Sequence, residues 1–244
     1  MLNLRRGRYQ ARQAETEAEI AAVLALRSLC FRGGKLSDED AYDATCRHVL
    51  VEETRSGRLV STFRLLPLKA GAEIGRSYSA QYYELSALHA FDGPMVEMGR
   101  FCVHPDLTDP DILRVAWGAM TRYVDETGVE MLFGCSSFTG TETAEYVDAF
   151  ALLKERHLAP KRWLPRVKAP NVFRFAGLLR RKPDLKRAMS GMPPLLRTYL
   201  LMGGWVSDHA VVDRDLGTLH VFTGLEIRAI PPARKRLLRG VASG

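Results

Sequence analysis

The chain is poor in cysteine: Cys30, Cys46, Cys102 and Cys135 are the only four in 244 residues. They lie far apart with no Cys-x-x-Cys pair, which argues against a zinc knuckle, an iron–sulfur site or a disulfide framework. Reduced, buried thiols are the expectation. No stretch approaches the roughly 18 consecutive apolar residues that a membrane-spanning helix needs. The start, Met1-Leu-Asn-Leu-Arg-Arg-Gly-Arg, has no apolar segment behind its charges to act as a secretory signal, so the expected location is the cytoplasm. Also missing are Gly-x-x-x-x-Gly-Lys-Ser/Thr, Gly-x-Gly-x-x-Gly opening a helix, Gly-x-Ser-x-Gly and His-Glu-x-x-His. Nucleotide hydrolysis, dinucleotide redox chemistry, serine hydrolysis and zinc proteolysis therefore lose their usual signatures, and no metal site is expected.

What is present is an ordinary globular composition, 46% apolar and 26% charged, with a net charge of +7 that is unevenly spread. Residues 1–14 hold four basic side chains and no acid, residues 161–190 hold ten against the single Asp184, and residues 227–244 hold five against none. The remainder is acidic, so an acidic body carries basic segments, and a basic surface suits an anionic partner. Nucleic acid, anionic lipid and an acidic protein are the candidate classes.

Periodicity gives the order of elements. Apolar residues at helical spacing run from Glu15 to Phe31, ended by Gly33-Gly34. Strands follow at Arg47–Glu53 and Arg58–Leu66, joined through Ser56-Gly57 as an antiparallel hairpin. Tyr78–His89 reads as a short helix and Met95–Val103 as a strand. Pro110–Thr127 is the clearest helix, entered through Asp109 as N-cap and left at Gly128. A buried strand at Met131–Cys135, a helix at Glu142–Arg156, a helix at Pro193–Met202 and strands at Trp205–Val212 and Leu219–Ile227 complete the reading. This is an α/β chain with a mixed sheet: a single domain over 1–244, with a core at about 15–160 and a basic C-terminal extension at about 161–244 that completes the sheet.

Two constellations carry chemistry. His104 and Asp109 form His-x4-Asp, a spacing some acyltransferases use for a base and its orienting carboxylate, but Asp109 already has a use as a helix cap. The second is spread over the first hundred residues: Arg27 and Phe31 one turn apart, Asp40 and Asp43 in a loop, Arg64 on one strand, Glu97 and Arg100 on another. Strands rich in Leu, Val and Phe do not carry such charges inward unless they meet each other or a ligand.

The order Leu-Arg-x-x-x-Phe, Asp-x-x-Asp, Ser-Thr-Phe-Arg-Leu-Leu-Pro (61–67) and Glu-Met-Gly-Arg-Phe (97–101) resembles the acyl-homoserine-lactone synthases and N-acyl amino acid synthases. The chain as a whole resembles the L-ornithine Nα-acyltransferases, through Glu97-Met-Gly-Arg-Phe-Cys-Val-His-Pro, Phe133-Gly-Cys-Ser-Ser-Phe and Pro193-Pro-Leu-Leu-Arg-Thr-Tyr-Leu-Leu-Met-Gly-Gly-Trp. Arg32-Gly-Gly-Lys lacks the aromatic residue of the lactone synthases, which favours the ornithine branch.

The resemblance implies a GNAT-like acyltransferase fold, a mixed, mostly antiparallel sheet flanked by helices. It also implies transfer of a 3-hydroxy fatty acyl group from acyl-carrier protein to the α-amine of L-ornithine. Glu97 and Arg100 become the catalytic expectation; Arg27, Phe31, Asp40, Asp43, Arg64, Phe101, Cys102, Ser136 and Ser137 line the substrates. The segment after residue 103, His104-Pro-Asp-Leu-Thr-Asp-Pro-Asp-Ile, has no glycine, two prolines and three aspartates, a poor cradle for the pyrophosphate of coenzyme A. A carrier protein brings phosphopantetheine without that pyrophosphate, so no separate cofactor is expected. Carrier protein is acidic, and Lys161, Arg162, Arg166, Lys168, Arg180, Arg181 and Lys182 are its expected docking residues, with peripheral contact at an anionic membrane alongside. The alternatives are a lactone or other N-acyl amino acid synthase and, outside enzymes, a basic nucleic-acid-binding module.

Overall fold

The computed structural model describes residues 2–242. In chain order the strands and helices begin with β1 (Asn3–Arg6), β2 (Tyr9–Gln13), α1 (Glu17–Arg32), β3 (Arg47–Glu53), β4 (Leu59–Leu68) and β5 (Tyr83–Glu84). They continue with β6 (Met95–Val103), α2 (Pro110–Thr127), β7 (Met131–Thr139), α3 (Val147–Arg156), β8 (Arg166–Val167), β9 (Val172–Phe173) and α4 (Phe175–Leu178). Last come α5 (Leu185–Gly191), α6 (Pro194–Leu201), β10 (Trp205–Val206), β11 (Ala210–Asp213), β12 (Thr218–Glu226) and α7 (Pro232–Ala242).

These elements form two compact units. One unit takes Met1–Pro67, Met98–Val129 and Pro231–Gly244, the other Leu68–Glu97 and Glu130–Ile230. The physical reason is pairing. The C-terminal third is laid into sheets and helices formed by earlier parts of the chain, so sequence order does not mark the boundary.

In the first unit β1, β2, β3 and β4 form successive antiparallel pairs, with Leu4 opposite Ala11, Ala11 opposite Val51 and Val49 opposite Phe63; β6 follows β4. Helix α1 starts where Thr16 and Glu19 form a reciprocal capping box and stops at Gly33, whose φ of 61° is the left-handed conformation a helix C-cap takes. Helix α2 is bounded as its sequence dictates, by the Asp109 cap, Pro110 and left-handed Gly128. Helix α7 packs on α2 here, and Arg239 of the C-terminal basic segment pairs with Asp125 at 2.9 Å.

In the second unit β6 runs parallel to β7 over three pairs, from Met95 opposite Met131 to Glu97 opposite Phe133. Strand β7 extends to Thr139, four residues past its expected end, because β12 lies antiparallel along all nine of its residues. Strands β11 and β10 both pair with β12, and β9 pairs with β11. Strand β5 pairs with β8. The expected strand at Trp205–Val212 is two short ones, β10 and β11. The core beneath α3–α6 is aromatic, with Phe150 stacked on Phe175 at 5.2 Å and tilted against Phe138 at 4.9 Å. The expected helix at Tyr78–His89 is not one: it consists of 3-10 turns at Ser79–Gln81 and Ser86–Ala90 around β5.

Candidate active site

In the first unit a chain of buried charges joins α1, the loop after it, β4 and β6. Arg27 is 1% exposed on α1. Its Nε donates to Asp38 Oδ2 at 2.9 Å, its Nη2 to the Asp38 carbonyl at 2.5 Å and its Nη1 to Asp43 Oδ1 at 2.5 Å. Arg64 on β4 donates to both oxygens of Asp40, at 2.6 and 2.8 Å, and to Asp43 Oδ1 at 2.6 Å. Arg100 on β6 donates to Asp38 Oδ2 at 2.9 Å and Asp40 Oδ2 at 3.3 Å. Arg32 Nε lies 3.4 Å from Asp38 Oδ1. Removing such ions from water costs several kcal/mol each unless they are paired, so the loop carrying Asp38, Asp40 and Asp43 is fixed by its guanidinium partners.

Four guanidinium groups meet three carboxylates, which leaves one net positive charge. Burial works against ionisation of Asp43, but hydrogen bonds from Arg27 and Arg64 outweigh it and hold its carboxyl at about 2. Asp40 is lowered in the same way, burial opposing and Arg64 prevailing. Burial pushes the His48 imidazole below its ordinary value, so it stays neutral beside the Asp43 carbonyl, 3.2 Å from Nε2.

Arg100 is also the one non-glycine residue with positive φ among the described residues, at 53°. A left-handed arginine inside a strand is strained by roughly 1–3 kcal/mol, and its two ion pairs hold it there. Phe31 lies under its guanidinium at 5.8 Å.

In the second unit Glu97 is 4% exposed. Its Oε2 accepts the Tyr78 N–H at 2.8 Å; its Oε1 accepts the Ser79 N–H at 2.8 Å and the Ser79 hydroxyl at 2.5 Å. Two successive amides aimed at one carboxylate form an anion nest. The Ser79 hydroxyl also lies 3.4 Å from Cys135 Sγ.

The structure thus brings Arg27, Asp40, Asp43, Arg64 and Arg100 into one network with Phe31 against it. Phe101 stacks on Phe63 at 5.9 Å, and buried Cys102 accepts the Ser61 hydroxyl at its carbonyl. Ser136, in the second unit, accepts from Thr223 Oγ1 at 2.9 Å, and Ser137 is exposed opposite His220. Asp38, Arg32 and His48 escaped sequence reasoning; three aspartates at 38, 40 and 43 were visible, but only tertiary contact separates Asp38 from its solvated neighbours. The His104–Asp109 dyad is corrected: Asp109 caps Asp111 N and accepts from Arg8 and Tyr9, while His104 meets Arg58 and Asp106.

All seven expected docking cations are exposed. Arg162 pairs with Glu226 at 3.2 Å, Arg181 with Asp148 at 2.9 Å and Arg166 with Glu84 at 3.9 Å. Lys168 donates to the Ala80 carbonyl at 2.6 Å. Among the described residues, Lys161, Arg180 and Lys182 have no ion pair.

Residues 31–118 match a family model described as the acetyltransferase (GNAT) domain. An L-ornithine Nα-acyltransferase of Rhodobacter capsulatus is 34% identical over 239 residues, covering 91% of each chain. The chain belongs to the L-ornithine Nα-acyltransferase family. A second family member, from Rhizobium meliloti, is 30% identical over 243 residues, 91% of this chain and 81% of that one. Among solved structures, an N-acyl amino acid synthase from uncultured soil microbes aligns over 97% of each chain with 9% identity and a TM-score of 0.47. As a member of the L-ornithine Nα-acyltransferase family the chain is an N-acyltransferase on a GNAT fold, which removes the non-enzymatic alternative.

Proposed function

We propose that the chain transfers a 3-hydroxyacyl group from acyl-carrier protein to the α-amine of L-ornithine, giving lyso-ornithine lipid. The observation that carries the reading is Arg100, strained, pinned by Asp38 and Asp40 and set against Phe31 in a network with one net positive charge. The ornithine carboxylate suits Arg100 in a network with a net positive charge. The side-chain ammonium suits Asp40, which at 23% is the most exposed carboxylate there; Asp43, at 8%, is taken by Arg27 and Arg64.

The α-amine attacks the thioester carbonyl, a C–N bond forms and the C–S bond breaks, and the departing thiolate takes a proton. Hydrogen bonds from Tyr78 and Ser79 hold the Glu97 carboxylate in a fixed orientation. Its fitting role is to balance the positive charge that develops on nitrogen and to relay that one proton, directly or through a water, to the departing thiolate, which leaves Glu97 ionised again. Backbone N–H groups from Arg100 to Cys102, turned by the left-handed residue, are assigned to the oxyanion. The donor assignment is supported by the N-terminus of α2, where Asp109 and Asp111 stand in place of a phosphate-binding glycine loop. Carrier docking is assigned to Lys161, Arg162, Arg166 and Lys168. Glu97→Gln tests the role: a loss of about 10²–10⁴ in turnover with unchanged folding is expected, and normal turnover at saturating substrate refutes it.

A further inference from the structure

Three basic segments were visible in the sequence, and the structure separates them. In the N-terminal one Arg6 donates to the carbonyls of Gly240 and Val241, Arg8 to Asp109, and Arg12 to Glu52. In the C-terminal one Arg228 pairs with Glu226 and Arg239 with Asp125. The stretch from Arg174 to Arg187 carries six cations and one acid; Arg181 pairs with Asp148 and Arg187 reaches Asp184, which also caps α5, while among the described residues Arg180, Lys182 and Lys186 have no ion pair.

The same stretch exposes large apolar side chains. Leu178 is 65% exposed, Leu185 48% and Met189 44%. Leu185 and Met189 stand one turn apart on α5, on the same face, beside Lys186, while fully buried Ala188 ties the helix to its core. Phe175, fully buried, anchors α4 so that Leu178 is turned outward. Apolar side chains interleaved with cations on short, core-anchored helices are the pattern of a surface that lies in a bilayer interface.

We propose that α4, α5 and the segment joining them form a peripheral docking surface for an anionic bilayer, with Leu178, Leu185 and Met189 entering the headgroup boundary and Arg180, Lys182 and Lys186 meeting lipid phosphates. The three exposed apolar side chains beside the cations fit an interfacial layer that is both anionic and apolar. The proposal extends the reaction proposed above, whose product carries a fatty chain, but vesicle binding does not depend on turnover, so each reading can fail without the other.

The test is co-sedimentation of the full chain with vesicles of phosphatidylcholine, with and without phosphatidylglycerol, over a range of salt. Binding to the anionic vesicles that weakens with salt is expected. Reversing Arg180, Lys182 and Lys186 to Glu is expected to weaken it roughly a hundred-fold or more, at about 1 kcal/mol per cation. Changing Leu178, Leu185 and Met189 to Ser is expected to weaken it at least about ten-fold, while vesicle-free turnover is unchanged. Absence of binding to anionic vesicles, or variants that bind like the parent, overturns the proposal. So does a charge-reversed variant that keeps vesicle binding and instead loses affinity for acyl-carrier protein.

Discussion

Asp38 is the sharpest point at which the network can be broken. Its side chain is fully buried, and one oxygen accepts from both Arg27 and Arg100 at 2.9 Å. In Asp38→Asn the amide keeps one acceptor but loses the charge and turns a donor toward guanidinium groups that have only donors. Breaking a buried pair by removing one partner costs roughly 3–5 kcal/mol. At about 2–4 °C per kcal/mol for a chain of this size, the melting temperature falls by roughly 6–20 °C. Below the transition Arg100 loses the tie that holds its left-handed backbone, and kcat/KM for acyl transfer falls about a hundred-fold, the cost of misplacing a binding group by about 1 Å. Thermal unfolding by circular dichroism, with kinetics at a temperature where both proteins are folded, measures both effects. Arg100→Gly against Arg100→Ala isolates the strain: both remove the guanidinium, but glycine tolerates φ of 53° and is the more stable variant by about 1 kcal/mol. An Asp38→Asn protein that melts within about 1 °C of the parent and turns over normally would refute the reasoning.

Two further outcomes follow from the same geometry. The Asp43 carboxyl is held at about 2, below its unfolded value, so its contribution is full above about 4 and is lost as pH falls toward about 2. The neutral His48 acts in the same direction from about 6.5 downward. Acid unfolding should therefore proceed in both windows, and Asp43→Asn should flatten the lower one; an unchanged acid limb in that variant counts against the assignment. Ser79→Ala removes the hydroxyl that donates to Glu97 Oε1, so kcat should fall by roughly five-fold, the rate equivalent of about 1 kcal/mol, with little change in KM; an unchanged kcat shows that Ser79 does not position the Glu97 carboxylate.

Much of the fold was legible because its signals are local. Helix α2 could be bounded from Asp109-Pro110 and Gly128 alone, β3 from its apolar run, and the end of α1 from Gly33. Strands β1 and β2 were missed although Leu2, Leu4, Tyr9 and Ala11 alternate with polar residues, because each strand is short and the arginines between them read as a charged segment. The stretch at 78–89 failed for the opposite reason: its spacing reads as helical, but Tyr83 and Glu84 pair with Val167 and Arg166, a distant segment that sequence spacing does not reveal. In the site, Arg27, Arg64, Glu97 and Arg100 stood out as charges on apolar elements, and Asp40 and Asp43 through the Asp-x-x-Asp spacing of the resemblance. Asp38 did not, since Ser37, Asp38, Glu39 and Asp40 read as one solvated loop until the arginines are placed around it.

Tandem mass spectrometry of the product reads the proposed reaction itself. Incubated with 3-hydroxyacyl carrier protein and L-ornithine, the full chain should give an amide on the α-nitrogen, and Glu97→Gln should give almost none. The same acyl group on coenzyme A should turn over poorly. Acylation of the side-chain nitrogen, absence of any N-acyl amino acid, or preference for the coenzyme A thioester would contradict the account.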